Sequence, residues 1–419
     1  MKKILMLCPS KTDLYMAKKL SLDTEYEIYQ HSYAADELRQ LTQSSSFQAD
    51  IAPITDEIQT LCKRYGNKID AIISTSDYPG SSLASIVAHH INLPAVNPHA
   101  NLLCQHKYLF RCTTSDAFPE NTPSFRPFDP ANPSITSTLP VYLKPVKSSL
   151  SIGTQKITKQ TDLQHLSFFP DAYFSPLQSL LACYTDHKES FYKPCYFIEE
   201  AIDGHLVTVE GYAHHNTIHT IGIVDSFRFP GTIGFKQFVY PSYLSASVQD
   251  RMHDLVKNLM RYIDFNQGQF NVELIYNEQH DRIYIVEVNT RLSHQFSDLF
   301  EKVDGKNSYH DTFDLACDME PTWKLNSGKH ATAASFILSH PHDYIVEHVP
   351  TPEEIETIEE RYPDIRVNIY AQTGKQISQT RRSEGIRYVY AMINIGGNSL
   401  QECEDILEDC KQTLSFRFR

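Results

Sequence analysis

From its N-terminus the chain alternates short apolar runs with amphipathic stretches. Ile4–Cys8 and Tyr26–Tyr29 predict strands on either side of a helix over Asp13–Leu20. The continuous apolar run Ile69–Ser74 predicts a parallel strand buried on both faces. Asp77-Tyr78-Pro79-Gly80 turns the chain into a helix over Ser82–His90, and Leu93–Val96 predicts one more strand. Residues 1–100 are therefore expected to form a small α/β layer domain. Phe118 to Pro140 is rich in Pro and Ser, has little periodicity and reads as a connection. Strands are expected at Val141–Val146, Cys195–Glu200 and Leu206–Gly211, followed by a helix over Ala246–Tyr262. Two alternating runs, Phe270–Leu274 and Ile283–Arg291, read as a hairpin joined through Asn277–Asp281. Beyond Ala331 come further strands, an acidic helix over Pro352–Arg361 and a last helix over Leu400–Leu414. Antiparallel hairpins among helices predict an α+β arrangement from about residue 101 onward.

The hairpin carries the chemistry. If it is centred near His280, Glu273 stands opposite Glu287 across the ladder, and Asn289 lies on the same face two residues further on. A buried carboxylate is costly unless it is paired or bound to a metal. Two carboxylates and an amide carbonyl make an all-oxygen, anionic site, which suits a hard cation such as Mg2+ that also binds phosphates. Either glutamate alone reads equally well as an outward-pointing strand residue; the combination carries the metal reading. Arg291 shares the face and can meet a phosphoryl group or neutralise the glutamates.

Composition narrows the classes. The chain has 419 residues, long enough for two or three domains, with 41% hydrophobic and 21% charged residues. A net charge of -13 disfavours a general nucleic-acid or anionic-membrane surface, and no apolar run approaches a membrane span. The nine cysteines are scattered without a CxxC pair, which predicts reduced thiols and a cytoplasmic location. Cys403 and Cys410, seven apart on a predicted helix, read as packing residues. The nineteen histidines include adjacent pairs such as His214-His215, but no HExxH spacing occurs, so solvated histidines are expected. A GxSxG element and a protein-kinase set are also missing, which disfavours those enzymes.

Three weaker features gain meaning from their order. Lys144 ends a strand and precedes the small-residue loop Lys147–Gly153, in which Ser148, Ser149, Ser151 and Gly153 could approach phosphate oxygens. Taken alone, Lys144 reads as a surface lysine before a turn and Lys107 as part of a solvated helix face. Glu199-Glu200-Ala201-Ile202 ends a strand; its backbone could pair with a purine edge while Glu199 accepts from the exocyclic amine.

In this order, the pieces resemble the ATP-grasp superfamily, and more narrowly the carboxylate–amine ligases related to L-amino-acid ligases and carnosine-synthase-like enzymes. Glu287-Val288-Asn289-Thr290-Arg291 with the preceding Glu273 resembles the family's closing E-x-N-x-R element. Lys107, Lys144-Pro145-Val146 and the Phe197–Gly204 segment are similar to its two ATP lysines and adenine hinge, with His205 near the usual ribose-binding acid. Arg381-Arg382, the Ile386–Val389 segment and the last helix resemble its C-terminal lid. The resemblance implies an α/β N-terminal domain (1–100), an α+β ATP-grasp fold (101–320) and a C-terminal α+β extension (321–419). Within the grasp it implies a phosphate-loop lid at about 120–200 and a metal-site subdomain at about 201–320. It implies ATP at Lys107, Lys144, Ser148, Ser149, Ser151, Gly153, Glu199, Glu200, Ala201, Ile202 and His205. Mg2+ or Mn2+ would sit at Glu273, Glu287 and Asn289, with Arg291 catalytic. The implied activity is ADP-forming synthesis of an amide or peptide bond through an acyl phosphate, from small-molecule carboxylate and amine substrates, in a cytoplasmic homodimer. Relatives usually continue Arg-Leu-Gly-Gly; here Ser293-His294 follows Leu292, which makes Ser293 and His294 candidate substrate contacts together with the aromatic-rich 168–195 segment. A carboxylating or purine-biosynthesis-type ligase, or an ATP-binding regulator without ligation, are the alternatives.

Overall fold

The computed structural model describes residues 1–33, 54–148, 151–186, 193–380 and 387–419. Ser149, Arg381, Arg382 and Ile386 lie outside the described residues. Strands β1 (Lys2–Leu7), β2 (Tyr26–His31) and β3 (Ala71–Ile73) form a parallel sheet in the order β2-β1-β3. A capping box starts the helix Lys11–Lys19: Ser10 Oγ accepts from the Asp13 amide, and the Asp13 carboxylate accepts from the Ser10 amide. The strand expected at Leu93–Val96 does not form. Pro94 cannot donate to a ladder, and Asn97 caps the next helix, Pro98–Gln105, by accepting from the His99 amide.

A second, antiparallel sheet holds β4 (Phe125–Phe128), β5 (Val141–Pro145), β6 (Gln155–Ile157) and β7 (Tyr196–Glu200) in the order β4-β7-β5-β6. Its first strand falls inside the stretch read from sequence as a connection. Pro127 is tolerated there because β4 is an edge strand. Phe169, Tyr173 and Phe174 pack with Tyr196 in the core of this subdomain, with the exposed Phe168 ring against Tyr196 at its edge, so that these aromatic residues are structural and line neither cavity described below.

The largest sheet is antiparallel throughout. Its first five strands are β8 (His205–His214), β9 (Thr217–Arg228), β10 (Phe235–Tyr240), β11 (Gly268–Asn277) and β12 (Arg282–Asn289). After β13 (Thr332–His340), the strand β14 (Val346–His348) pairs with β17 (Arg417–Phe418), while β15 (Arg366–Ile369) and β16 (Tyr388–Gly397) return to the large sheet. The order is β12-β11-β8-β9-β10-β13-β16-β15, so the chain beyond residue 321 continues the sheet of the preceding subdomain.

Alternation gives this sheet two chemistries. Val207 and Val209 of β8 and Phe270, Val272 and Leu274 of β11 face the helix Ala246–Tyr262, whose buried Met252, Val256 and Leu259 recur at helical spacing. The intervening Thr208, Glu210, Asn271 and Glu273 face the other way, into a cleft. The last helix, Leu400–Thr413, buries Cys403, Leu407 and Cys410 against β13 and β16. All nine cysteines are free, and among the described residues no helix is long and apolar enough to cross a membrane.

A buried polar knot fixes the N-terminal domain to the end of β12. Thr290 Oγ1 accepts from Asn101 Nδ2 at 2.8 Å and from Gln105 Nε2 at 3.3 Å, while Asn101 Oδ1 accepts from Ser82 Oγ at 2.8 Å. Asn101→Ala leaves Ser82 Oγ without this acceptor and Thr290 Oγ1 with only its longer contacts to Gln105 and Ser81, and is expected to cost about 1–3 kcal/mol. A clear fall in thermal midpoint by differential scanning fluorimetry checks this; an unchanged midpoint would remove the knot from the account of domain docking.

Candidate functional site

The floor of the cleft is the β11–β12 hairpin. Glu273 pairs directly with Glu287 and Asn271 with Asn289. Asn289 Nδ2 donates to Asn271 Oδ1 at 2.9 Å, and Asn271 Nδ2 donates to the Arg291 carbonyl at 3.0 Å. This chain of amides turns the Asn289 side-chain oxygen toward the two carboxylates, where it could serve as a ligand. Past this point a bulge intervenes: Leu274 pairs with Ile285, and Val286 is the extra residue. The bulge reverses the alternation of β12, so Tyr284 and Val286 join Glu287 and Asn289 on the cleft wall.

Cations gather over these acids. Lys107, the first residue of the helix Lys107–Thr114, ion-pairs with Glu287. Burial and the neighbouring Lys147 and Lys144 push the Lys107 ammonium below its usual range, against the pull of Glu273 and Asp77. Lys144, at the end of β5, ion-pairs with Glu199. Lys147 meets Asp77 at 2.7 Å. Burial pushes the Asp77 carboxyl upward, but Lys147, Arg291 and Lys107 outweigh it and hold the group well below the carboxylate range. Arg111 is nearly fully buried; its Nε donates to Glu199 Oε2 at 2.7 Å and its Nη2 to the Val286 carbonyl at 2.7 Å. It thus ties β7 to the bulge of β12.

Two cavities meet along this floor. The smaller, about 200 Å³, is lined by Lys107, Lys144, Ser148, Glu200, Ile202 and Tyr284. The larger, about 690 Å³, runs past Ser293, His294, Phe235 and Phe296 toward β15. Asp77, Ser151, Glu273, Asn289 and Arg291 line both. Ser148 Oγ is buried without a hydrogen-bond partner among the described residues, a group that a phosphate oxygen would satisfy. Gly153 does not line either cavity. It shapes the loop, with φ at +78° and room for a Cβ blocked by Phe169 at 2.8 Å.

Several expected roles need correction. Both Glu199 oxygens are engaged, by Arg111 and Lys144, and burial notwithstanding these cations pull its pKa down to about 2. The residue therefore anchors Lys144 instead of offering a free oxygen to a purine amine. The Ala201 amide is also committed, to the Pro140 carbonyl at 3.3 Å. His205 pairs with Tyr276 on the face of β8 turned away from the cleft and lies 3.1 Å from Asp225 Oδ1, so it does not reach a nucleotide in the cleft. His294 has both ring nitrogens occupied, Nδ1 by the Tyr309 hydroxyl at 2.6 Å and Nε2 by the Thr75 carbonyl at 2.9 Å. It braces the N-terminal domain, and with Ser10 and Thr75 it keeps Asp13 ionised against the cost of burial.

Asp77, Lys147, Arg111, Glu210 and Asn271 were missed from sequence. Arg111 had a usable signal, lying one helical turn beyond Lys107. Asn271, two residues before Glu273, had the signal of alternation, and Lys147 opens the loop already singled out; Asp77 and Glu210 had none. The histidine pair His214-His215 meets Asp318 on the β8–β9 turn, at 3.6 Å and 3.0 Å.

Residues 137–298 match the family described as the ATP-grasp domain. Among solved structures, the L-amino acid ligase from Bacillus licheniformis superposes with a TM-score of 0.73 at 15% identity, covering 100% of this chain and 99% of that one. Phosphoribosylglycinamide synthetase from Anaerococcus prevotii gives 0.66 at 15% identity over 100% of both chains. The biotin carboxylase domain dimer of the Hydrogenobacter thermophilus 2-oxoglutarate carboxylase, in complex with MgADP and bicarbonate, gives 0.64 at 12% identity, covering 100% of this chain and 91% of that one. A comparison with curated proteins returns no match. At these identities the likeness to solved structures is one of fold. Residues 137–298 are thus similar to the ATP-grasp domain, and over its whole length the chain shares the fold of these solved structures.

Glu210 supplies a pH test of the cleft. It is buried on the cleft face opposite Asn271, and Ser293 Oγ donates to its Oε1 at 2.5 Å. Burial raises its pKa from 4.5 to about 8, against the Ser293 hydrogen bond and the Arg291 charge. Below the ordinary glutamate value the native and unfolded chains are both protonated. Between that value and the raised one only the unfolded chain ionises, so the stability contribution is lost as pH rises. Glu210→Gln is expected to melt close to the parent at pH 4.5 and several degrees above it at pH 8.5. A gap that does not widen with pH would contradict the raised value.

Proposed function

We propose that this ATP-grasp chain is an ATP-dependent carboxylate–amine ligase that joins an amino acid to a second small molecule, releasing ADP and phosphate. The observation that carries the reading is the oxygen set Glu273, Glu287 and Asn289 set against Lys107, Lys144 and Arg291, in a cleft that opens directly into a larger chamber. ATP occupies the smaller cavity, its base toward Glu200, Ile202 and Tyr284 and its phosphates toward Lys107, Lys144, Ser148 and Ser151. Glu273, Glu287 and Asn289 fit Mg2+ or Mn2+ by donor type and charge; the bound ion would neutralise phosphate oxygens. A substrate carboxylate oxygen attacks the γ-phosphorus, the bond to the β-phosphate oxygen breaks, and ADP leaves an acyl phosphate. An amine nitrogen then attacks the acyl carbon, phosphate departs, and the nitrogen loses its proton.

The chain's own residues act mainly through charge and position. Arg111 and Glu199 hold Lys144 in place, while Asp77 holds Lys147. Arg291, on the wall shared by both cavities, is placed to stabilise charge on the acyl phosphate and on the tetrahedral intermediate. A cytoplasmic homodimer belongs to the same proposal.

ADP and phosphate release, screened over amino-acid pairs, bicarbonate and ATP alone, tests the assignment. Release is expected only when a suitable pair is present. Glu287→Ala is expected to lower it at least about a hundredfold, the scale of losing one preorganised charge contact. Undiminished release by that variant with Mg2+ present would sink the metal assignment. ATP binding without turnover under every substrate pool would favour a regulator.

A further inference from the structure

We propose that His214, His215 and Asp318 bind a transition-metal ion of the zinc class, which clamps the β8–β9 turn to the end of the helix Tyr309–Ala316. None of the three lines either cavity of the cleft, so the inference stands apart from the ligase reading.

His214 ends β8, and His215 and Asn216 make the two-residue turn into β9, with φ at +47° and +65°. Asp318, just past the helix Tyr309–Ala316, holds φ at +61°. These segments lie about a hundred positions apart in sequence, and hydrogen bonds fix their backbones against one another. The His215 amide donates to Gln267 Oε1 at 3.2 Å, and Gln267 Nε2 donates to the Leu315 carbonyl at 2.8 Å. The Asp318 amide donates to that same carbonyl at 3.2 Å. The ligand-bearing residues are therefore placed by the fold, whether or not an ion is bound.

Between these segments the donor atoms converge. Asp318 Oδ1 lies 3.6 Å from His214 Nε2 and 3.0 Å from His215 Nε2, and each residue offers an atom within 4.8 Å of the other two. Donors held at 2.0–2.1 Å around a tetrahedral ion stand roughly 3.3 Å apart, so the observed spacings bracket what such an ion requires. His214 Nε2 is buried and makes no hydrogen bond among the described residues, Asp318 included. An ordinary ion pair between His215 and Asp318 leaves that nitrogen unserved, whereas one ion satisfies both imidazoles and the carboxylate together. Two imidazoles with one carboxylate suit zinc-class ions, while Mg2+ and Ca2+ favour oxygen alone. His215 and Asp318 are exposed, which gives an ion a way in and leaves a fourth position for water.

The placement gives the ion a structural task. The helix Tyr309–Ala316 packs Tyr309 and Phe313 with Ile4, Met6 and Ile73 of the parallel sheet. A clamp at its end ties the large sheet to the N-terminal domain at a second point, besides the knot around Thr290.

The test uses the whole chain in excess Mg2+, which competes for oxygen-only sites. Zn2+ is titrated by calorimetry, and Co2+ is followed by its visible absorption. One Zn2+ per chain is expected to bind at this site and to raise the melting midpoint. His215→Asn and Asp318→Asn introduce a residue that tolerates positive φ, so the backbone is kept. Each is expected to weaken Zn2+ binding at least about tenfold, since losing even a partner behind a ligand costs that much. Each is also expected to lose the Co2+ band and the Zn2+-dependent rise, with the metal-free midpoint and ADP release unchanged. His89→Ala, in the adjacent pair His89-His90 that has no ion-paired carboxylate among the described residues, is expected to bind like the parent. Equal binding by the parent and both folded variants, or no binding by the parent, would overturn the proposal and leave the ligase reading untouched.

Discussion

Two carboxylates facing each other across a β ladder repel, and the rest of this site is arranged around that fact. Glu273 and Glu287 cannot sit side by side in a partly buried cleft without positive charge close by. In the structure without ligand Lys107 provides it directly. The same logic repeats outward, with Lys147 on Asp77 and with Lys144 and Arg111 on Glu199. Each pair joins different parts of the chain: the turn after β3 to the loop after β5, β5 to β7, and the helix Lys107–Thr114 to β12. Such partly buried pairs add little net stability and much geometric definition. A metal ion and a polyphosphate would exchange partners within the set without adding an uncompensated charge.

The large sheet makes the arrangement possible by keeping two environments apart. One face of β8 and β11 is sealed by the helix Ala246–Tyr262, so the strands are held whether or not the cleft is filled. The opposite face can then carry Thr208, Glu210, Asn271 and Glu273, a set that no self-contained core would tolerate. Glu210 shows the cost, since burial keeps its carboxyl protonated near neutral pH. The bulge at Val286 adds hydrophobic wall beside the acids, and Arg111 caps the carbonyl that the bulge leaves free.

The C-terminal strands complete the second chamber. Because β13, β16 and β15 extend the same sheet, Met392, Asn368 and Arg366 reach the space next to Arg291. The segment that resembled a lid is therefore also a wall, and the neighbourhood of the acyl group depends on residues more than seventy positions away in sequence.

The sequence by itself determined the local elements and the hairpin that holds the acids. Turn composition and period-two alternation are local, so the facing of Glu273 and Glu287 and the shared face of Asn289 and Arg291 were legible, as were the helices Ala246–Tyr262 and Pro352–Arg361. Tertiary structure alone decided which strands became neighbours. That placed β4 on β7 within a stretch that looked like a connection, and it gave Glu199 to Arg111 and Lys144. It also turned His205 away from the cleft, locked His294 between Tyr309 and Thr75, and brought Asp77 to Lys147. Alternation says which residues share a face but not which face meets which partner, and a single-residue bulge reverses even that parity. Contacts between distant segments are fixed by packing and charge in three dimensions, and no local pattern in the sequence encodes them.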